Sequence, residues 1–443
     1  MHNQIDRHIE AVEVEQLFGH YNYRVEQKSS NFSNAPLMII YGDNGTGKTT
    51  LLELVFYLLS TVDNEGHKSK ISEIKFKKFS VLLNDGVEII AERDSESLIG
   101  SFHYIIREKG QELHRVYLES NSDFSIQMND RNTNLEKTYY RILEYINNLN
   151  INIHYLSDSR KLIAGVGNKK TNRLNPYDTY IKYQNERHGE FYEKEENDLE
   201  LAVKKLEGLI RNRVLLGSKT RDLNTNTIYT DLIKRVTSQR NEDTTNDEVL
   251  SLVQKLKEIR SENKKYQQFG LVSKIETSEI ESTLQEPSKY NSDLIYNILE
   301  PYVAGLRGRL NSLKDIQEVI ELFVNQLNEY FANKEIKYHL AKGFNISDKE
   351  FGGKIELPML SSGEKQLLLL FCSVITNSDN ASVFIIDEPE ISLNIKWQRK
   401  LVQTLLDFSK NKNVQFIFAS HSIELLTSHK DSVSKLEHIR DKK

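Results

Sequence analysis

The residues best suited to chemistry lie in Gly42–Thr49, GDNGTGKT, which fits the pattern G-x-x-x-x-G-K-[ST]. Glycines at 42, 45 and 47 let the backbone wrap with its N–H groups turned inward, the arrangement that holds phosphate oxygens. A helix opening near Gly47 adds its positive end to the same cradle. Lys48 is placed to reach the β- and γ-phosphates of a nucleotide, and the Thr49 hydroxyl to ligate Mg²⁺. Asp43, Asn44, Thr46 and Thr50 complete the loop and the first turn, so the whole of 42–50 counts as nucleotide-binding. The competing reading is a chance Gly/Asn turn capping a helix; Gly-Lys-Thr in the required slot weighs against it.

Three further stretches belong with this loop. In SVFIIDEPE (Ser382–Glu390), four consecutive apolar residues read as a strand buried on both faces and ending in two carboxylates. Asp387 is suited to hold Mg²⁺, directly or through water, and Glu388 to orient or deprotonate an attacking water. Alone, two acids at a strand end are also compatible with a solvated turn. LSSGEKQ (Leu360–Gln366) precedes an apolar helix. Ser361 with Glu364 three residues on forms a capping-box pattern. A capped helix start with a free hydroxyl and the Gly363 backbone is at the same time a phosphate site. FIFASHS (Phe416–Ser422) is an apolar strand ending at His421. A lone histidine is commonly structural. This one follows the acidic strand by one helix, which puts it at a neighbouring strand end of a parallel sheet, where ligands of α/β folds sit.

Positioning these groups takes an α/β framework. Ile9–Phe18 and Tyr23–Val25 read as strands, and Leu37–Tyr41 as a short buried one before the loop. The helix after the loop turns Leu51, Leu52, Val55, Phe56 and Leu59 inward. Between Ile71 and Glu119, apolar runs separated by Asp85-Gly86 and Gly110 predict an antiparallel meander. A helix at 136–149 and a strand at Ile151–Leu156 follow. Residues 161–290 are rich in Lys, Glu, Asn, Gln and Thr, with helices expected at 192–215, 229–239 and 246–264. Their sparse apolar positions predict a helical insertion exposed on much of its surface. A long helix over Ser292–Asn333, a strand at Glu335–Leu340 and alternating helices and strands close the chain. The expected domains are 1–160, an N-terminal part of the head; 161–333, a mainly helical insertion with short coiled-coil character; and 334–443, the C-terminal part of the head.

Composition bounds the function. The net charge of −5 argues against a dedicated nucleic-acid coat, and no apolar run approaches the ~18 residues of a membrane span. The N-terminus lacks a basic-then-apolar leader, so a cytoplasmic chain is expected. With Cys372 as its one cysteine, the chain forms no internal disulfide and no cysteine-based zinc site.

The order of phosphate loop, LSSGEKQ, FIIDEPE and ASH resembles ABC-type ATPases, and among them the soluble RecF/SMC-like and OLD-like branch of AAA-family ATPases. Ser362 stands where the LSGGQ signature of transporters has its first Gly, and Glu364 where it has Gln. The resemblance implies a P-loop NTPase of ABC type with an antiparallel β lobe and a helical insertion, using ATP and Mg²⁺. It implies a homodimer or higher homo-oligomer in which Ser361 and Gly363 of one subunit reach the γ-phosphate held by 42–49 of another. Lys48, Glu388 and His421 then carry the catalysis, His421 as the switch histidine. Ile391–Asn394 resembles the segment that crosses the dimer, with Asn394 replacing the usual acid. Tyr21 or Tyr23 is the aromatic implied for adenine. INIHYL ends without the family's glutamine, leaving Asp158 or Arg160 as candidates for Mg²⁺ or phosphate contact.

The function implied is an ATP-binding and ATP-hydrolysing dimeric switch that controls a separate effector, a nuclease or toxin. It resembles the ATPase subunits of bacterial anti-phage systems such as Septu, PARIS and retron-associated ATPases. The alternative is a RecF-like DNA-repair ATPase without an effector, with Lys68, Lys70, Lys75, Lys77 and Lys78 as its candidate basic groove, although a run of this kind is more often a solvated β-hairpin face. The helical insertion argues against a transporter subunit, and no membrane partner is expected.

Overall fold

The computed structural model describes residues 7–28, 36–62, 65–94, 97–126, 133–157, 162–165, 198–217, 246–275, 292–378 and 382–437. The chain divides into two compact units, 1–199 with 369–443, and 200–368. Among the described residues the strands are β1 (Ile9–Leu17), β2 (Tyr21–Glu26), β3 (Leu37–Tyr41), β4 (Lys78–Leu83), β5 (Val87–Glu92), β6 (Phe102–Glu108), β7 (Gln111–Leu118), β8 (Asn152–Leu156), β9 (Leu162–Ala164), β10 (Lys334–His339), β11 (Gly343–Asp348), β12 (Lys354–Ile355), β13 (Ser382–Asp387), β14 (Val414–Ser420) and β15 (Val433–Lys435).

The first unit holds two sheets. One is antiparallel, in the order β2-β1-β4-β5-β6-β7. Its hairpins turn at Gly86 and Gly110, both at positive φ (85° and 81°), as the Asp-Gly and Lys-Gly pairs predict. The other runs β15-β3-β14-β13-β8-β9 and is parallel except at β8–β9. Every residue of β13 and β14 is buried, as expected of strands covered on both faces.

The helix Lys48–Leu59 packs on β8, β13 and β14 of the parallel sheet and on β5 of the antiparallel one. Wedged between two sheets, it buries Leu54 and Leu58 as well as the five residues predicted to face inward. A one-sided reading of its periodicity understated this, because both flanking layers are apolar. Its C-terminal carbonyls are satisfied by Lys68, which is buried and donates to the carbonyls of Tyr57 (2.7 Å), Leu58 (2.8 Å) and Ser60 (2.9 Å). Lys68 therefore does not belong to an exposed basic face, and Lys70 is paired with Glu73 at 2.9 Å.

The second unit contains the helices at 200–217, Asn246–Gln267 and Ser292–Tyr330, with the small antiparallel sheet β10-β11-β12. The Asn246–Gln267 helix packs along Ser292–Tyr330. Val249, Leu252, Leu256 and Ile259 make its buried stripe, spaced by three and four residues. An insertion exposed on much of its surface was expected; among the described residues this stripe is buried, while Leu215, Leu216 and Leu250 stay exposed. The helix expected at 229–239 lies outside the described residues. None of the described helices is long and apolar enough to cross a membrane.

Candidate nucleotide site

The parallel sheet sets the register of the chemistry. Tyr41 of β3 pairs with Ser420 of β14, and Asp387 of β13 pairs with Ala419. The phosphate loop, the acidic pair and His421 thus leave three adjacent strands at their C-terminal ends, the C-terminal edge of the sheet. His421 takes the neighbouring strand end predicted for it.

The loop is shaped by its glycines. Gly45 and Gly47 have φ of 80° and 88°, which favour glycine. A Cβ at Gly47 would come within 2.9 Å of the Leu17 and Phe18 side chains, and one at Gly42 within 2.8 Å of Thr46 Oγ1. Thr46 Oγ1 donates to the Asp43 carbonyl at 2.8 Å. Gly47 is the N-cap of the following helix, with no side-chain cap and no acid in the first turn. No side chain of the helix's own first turn offsets the positive dipole at that end.

Lys48 is 6% exposed and its Nζ donates to the carbonyls of Gly42 (2.9 Å) and Asp43 (3.1 Å). Burial pushes its ammonium below the usual lysine range; Glu388, Asp387, Asp43 and Glu390 act in the opposite direction. The named acids set a negative field around the lysine. The cradle, the buried ammonium, the exposed Thr49 in the first helical turn and buried Asp387 fit a magnesium–nucleotide group.

Glu388 has φ of 46°, an unusual backbone state for a non-glycine residue, held by its N–H donating to the Ala419 carbonyl at 2.9 Å. Its Oε1 lies 3.1 Å from His421 Nε2. Both side chains are about a third exposed (29% and 32%), so the pair faces solvent at the sheet edge.

LSSGEKQ lies in the second unit, which runs to Leu368. The capping box is present: Glu364 Oε2 accepts from the Ser361 N–H at 2.7 Å, and the Glu364 N–H reaches Ser361 Oγ at 3.4 Å. Lys334 Nζ donates to both Glu364 oxygens at 2.9 Å. Burial works to raise the Glu364 pKa, but Lys334 and Ser361 outweigh it and hold the carboxyl below its ordinary range.

Of the two tyrosines considered for adenine, Tyr23 is a core residue, 2% exposed, with its hydroxyl pushed up to about 12 by burial. Tyr21 stacks on it at 5.3 Å. The aromatic that touches the phosphate-loop region is Phe18, at the irregular end of β1, φ 55°. Its signal in the sequence was the Phe-Gly pair ending a strand. Asp158 and Arg160 lie outside the described residues.

A family model for the AAA ATPase domain matches residues 21–426. The chain belongs to the AAA ATPase domain family. Its α/β P-loop NTPase fold agrees with the motifs, and the ATPase chemistry is that of the family. Among its relatives, the Retron Vc95 probable ATPase of Vibrio cholerae is 22% identical over 409 residues, covering 88% of this chain and 66% of that protein. The zinc import ATP-binding protein ZnuC of Rickettsia prowazekii is 30% identical over 119 residues, 27% of this chain and 48% of that one. The ATPase chain thus spans less than two thirds of either relative. A solved Smc head domain with an extended coiled coil, bound to the C-terminal domain of ScpA from Pyrococcus furiosus, covers 97% of this chain and 95% of its own at 12% identity, with a TM-score of only 0.38.

The acid missed in the sequence of this ATPase domain is Glu390, buried at 9% exposure. The third carboxylate of DEPE was its only signal.

Proposed function

We propose that the protein binds and hydrolyses ATP with Mg²⁺, and that it acts as a dimeric switch on a separate effector in bacterial defence against phage. The observation that carries the enzymatic part is the meeting of Lys48, Asp387, Glu388 and His421 at one sheet edge. The loop N–H groups and Lys48 hold the phosphates; Thr49 and Asp387 hold the metal. When bound, Mg²⁺ supplies charge neutralisation on the phosphate oxygens. Glu388 takes the proton of the attacking water, and His421 at 3.1 Å orients that carboxylate. Phe18 offers a flat apolar surface at the loop for the base.

Ser361 and Gly363 complete the site from a second copy, which makes turnover depend on dimerisation. The division into head parts 1–160 and 334–443 with a helical insertion between them belongs to the same proposal. The helical part, whose described outer faces carry polar residues together with the exposed Leu215, Leu216, Leu250 and Ile298, is the surface on which an effector, a nuclease or toxin, or a trigger is read. Similarity to a retron ATPase over 88% of the chain supports the defence role. Burial of Lys68 and pairing of Lys70 weaken the basic groove on which a DNA-repair reading depended.

Glu388→Gln tests the enzymatic core. It keeps the side-chain shape and removes the base, so kcat should fall by about 10²–10⁴ while ATP binding persists and dimers accumulate. Turnover at the parent rate removes Glu388 from the role. Co-purification of the intact chain with the product of a neighbouring gene tests the effector.

A further inference from the structure

Glu390 adds to the field on Lys48 but holds no phosphate, metal or water in the scheme above, and one of its oxygens accepts three hydrogen bonds. Its Oε1 accepts from Ser420 Oγ at 2.6 Å, from the His421 N–H at 2.8 Å and from the Ser422 N–H at 3.0 Å. Its Oε2 is buried and makes no hydrogen bond among the described residues. The hydrogen bonds of this carboxylate therefore all run to the three-residue turn that presents His421. A second tie lies one turn earlier, where the Glu388 N–H donates to the Ala419 carbonyl at 2.9 Å. Two links, one backbone and one charged, thus fix the His421 turn against the Glu388 turn.

The hold extends further. Ser422 Oγ donates to Gln398 Oε1 at 2.7 Å and also accepts from the Leu425 N–H, capping the helix Ile423–Ser428. Gln398 Nε2 donates to the Leu393 carbonyl at 2.9 Å. Leu393 belongs to Ile391–Asn394, the stretch that leads from the acidic turn into the helix Ile395–Phe408. The path from Leu393 through Gln398 and Ser422 to the Glu390 carboxylate is unbroken.

We propose that Glu390 is a positioning residue of the ATPase, setting where His421 stands against Glu388, and that Gln398 and Ser422 tie that position to segment 391–394. This rests on the ATPase reading. A displacement of segment 391–394 would reach His421 along this path, so the segment is placed to gate hydrolysis without touching nucleotide. A carboxyl group suits the task, because one of its oxygens accepts from three donors of the turn at once.

The test is a double-mutant cycle on the full chain with Glu390→Ala, His421→Ala and both together. Misplacing a catalytic group by about 1 Å costs about 10²-fold, so Glu390→Ala should lower kcat by about that factor with ATP affinity little changed. In the His421→Ala background it should add little, because the group it positions is gone. Glu390→Gln, which keeps the shape and a carbonyl acceptor, should recover part of the rate, and it replaces the alanine in the cycle should that variant not fold. Losses that multiply, or ATP affinity that falls in parallel with kcat, overturn the proposal. A readout independent of turnover is the imidazole ¹⁵N signal of His421, assigned by its loss in His421→Gln. That signal should move in Glu390→Gln; an unmoved signal overturns the proposal. A parent chain that never hydrolyses ATP sinks the ATPase reading instead, and the ¹⁵N signal alone then decides whether Glu390 positions His421.

Discussion

The helices that begin at Lys48 and at Ser362 both have a glycine next to their first residue, Gly47 before the one and Gly363 within the other, yet their N-termini are satisfied in opposite ways. The first has Gly47 as its cap, no side-chain cap and no acid in its first turn. The second carries Glu364, which accepts from Ser361 and is itself matched by Lys334. An open helix start leaves its dipole and N–H groups for an outside anion. A start closed by its own carboxylate is already compensated, and what it offers is a fixed shape with an exposed Ser361. Under the proposed function, the first end binds phosphate by charge, whereas the second would contribute to a phosphate by geometry, from a second copy.

The largest expected effect breaks the open end. Lys48→Ala removes a buried ammonium aimed into the cradle. Two charge-assisted hydrogen bonds to phosphate are together worth about 4 kcal/mol, or about 10³-fold in affinity. Calorimetry with ATP should show that loss. Unchanged affinity would mean that the loop does not bind phosphate through Lys48.

The closed end should behave otherwise. Ser361→Arg adds bulk and charge to an exposed position and leaves the first cradle intact. ATP affinity should persist while turnover falls by about 10²-fold, the effect of losing one donor to the transferring group. Partial rescue on mixing with Lys48→Ala would follow from a site shared between copies. A rate per subunit that stays constant on dilution to monomers would contradict the shared site.

These contrasts explain what was legible in the sequence. GDNGTGKT announces its own conformation, because glycine spacing and the Lys-Thr pair are local demands. The parallel sheet was readable from the all-apolar runs of β13 and β14, and the place of His421 from chain order. Lys334 was not readable as the mate of Glu364, being 30 residues away on another element. Lys68 looked like part of a basic run because its neighbours are basic; its helix, His67–Glu73, turns it under the phosphate-loop helix. Glu390 stood in plain view in DEPE, but its role depends on a strand turn some thirty residues on. Non-local pairs between polar groups have no period to read, whereas apolar faces do.

Within the open end, the glycines themselves can be ranked. Gly45 and Gly47 share the left-handed region, but only Gly47 has side chains in the way of a Cβ. Gly45→Ala should cost about 1 kcal/mol from backbone strain alone, and Gly47→Ala about 2 kcal/mol once the contacts with Leu17 and Phe18 are added. Trp397, the single tryptophan, lies in the same unit as the loop, so urea unfolding followed by its fluorescence reports on both variants. Equal midpoints would show that Phe18 and Leu17 do not press on the loop.

The smallest effect sharpens the closed end and depends on pH. The Glu364 carboxyl titrates below its ordinary value of 4.5: burial raises it, and Lys334 and Ser361 more than reverse this. A carboxylate with a depressed folded-state pKa adds stability that is complete above the unfolded value and is lost as pH falls through the folded one. Glu364→Gln retains a carbonyl acceptor for the Ser361 N–H but gives up the charge facing Lys334. Near neutral pH the variant should weaken the helix start by about 1 kcal/mol, the size of one cap interaction. Hydrogen exchange of peptides spanning 360–377 measures this as a ratio of parent to variant protection at each pH, which cancels the intrinsic exchange rate. The ratio should be flat above about pH 5 and shrink toward one as pH drops further. A ratio that holds constant down to pH 3 would show that the ionised carboxylate is not what closes this helix end, and the contrast with the phosphate loop would lose its electrostatic basis.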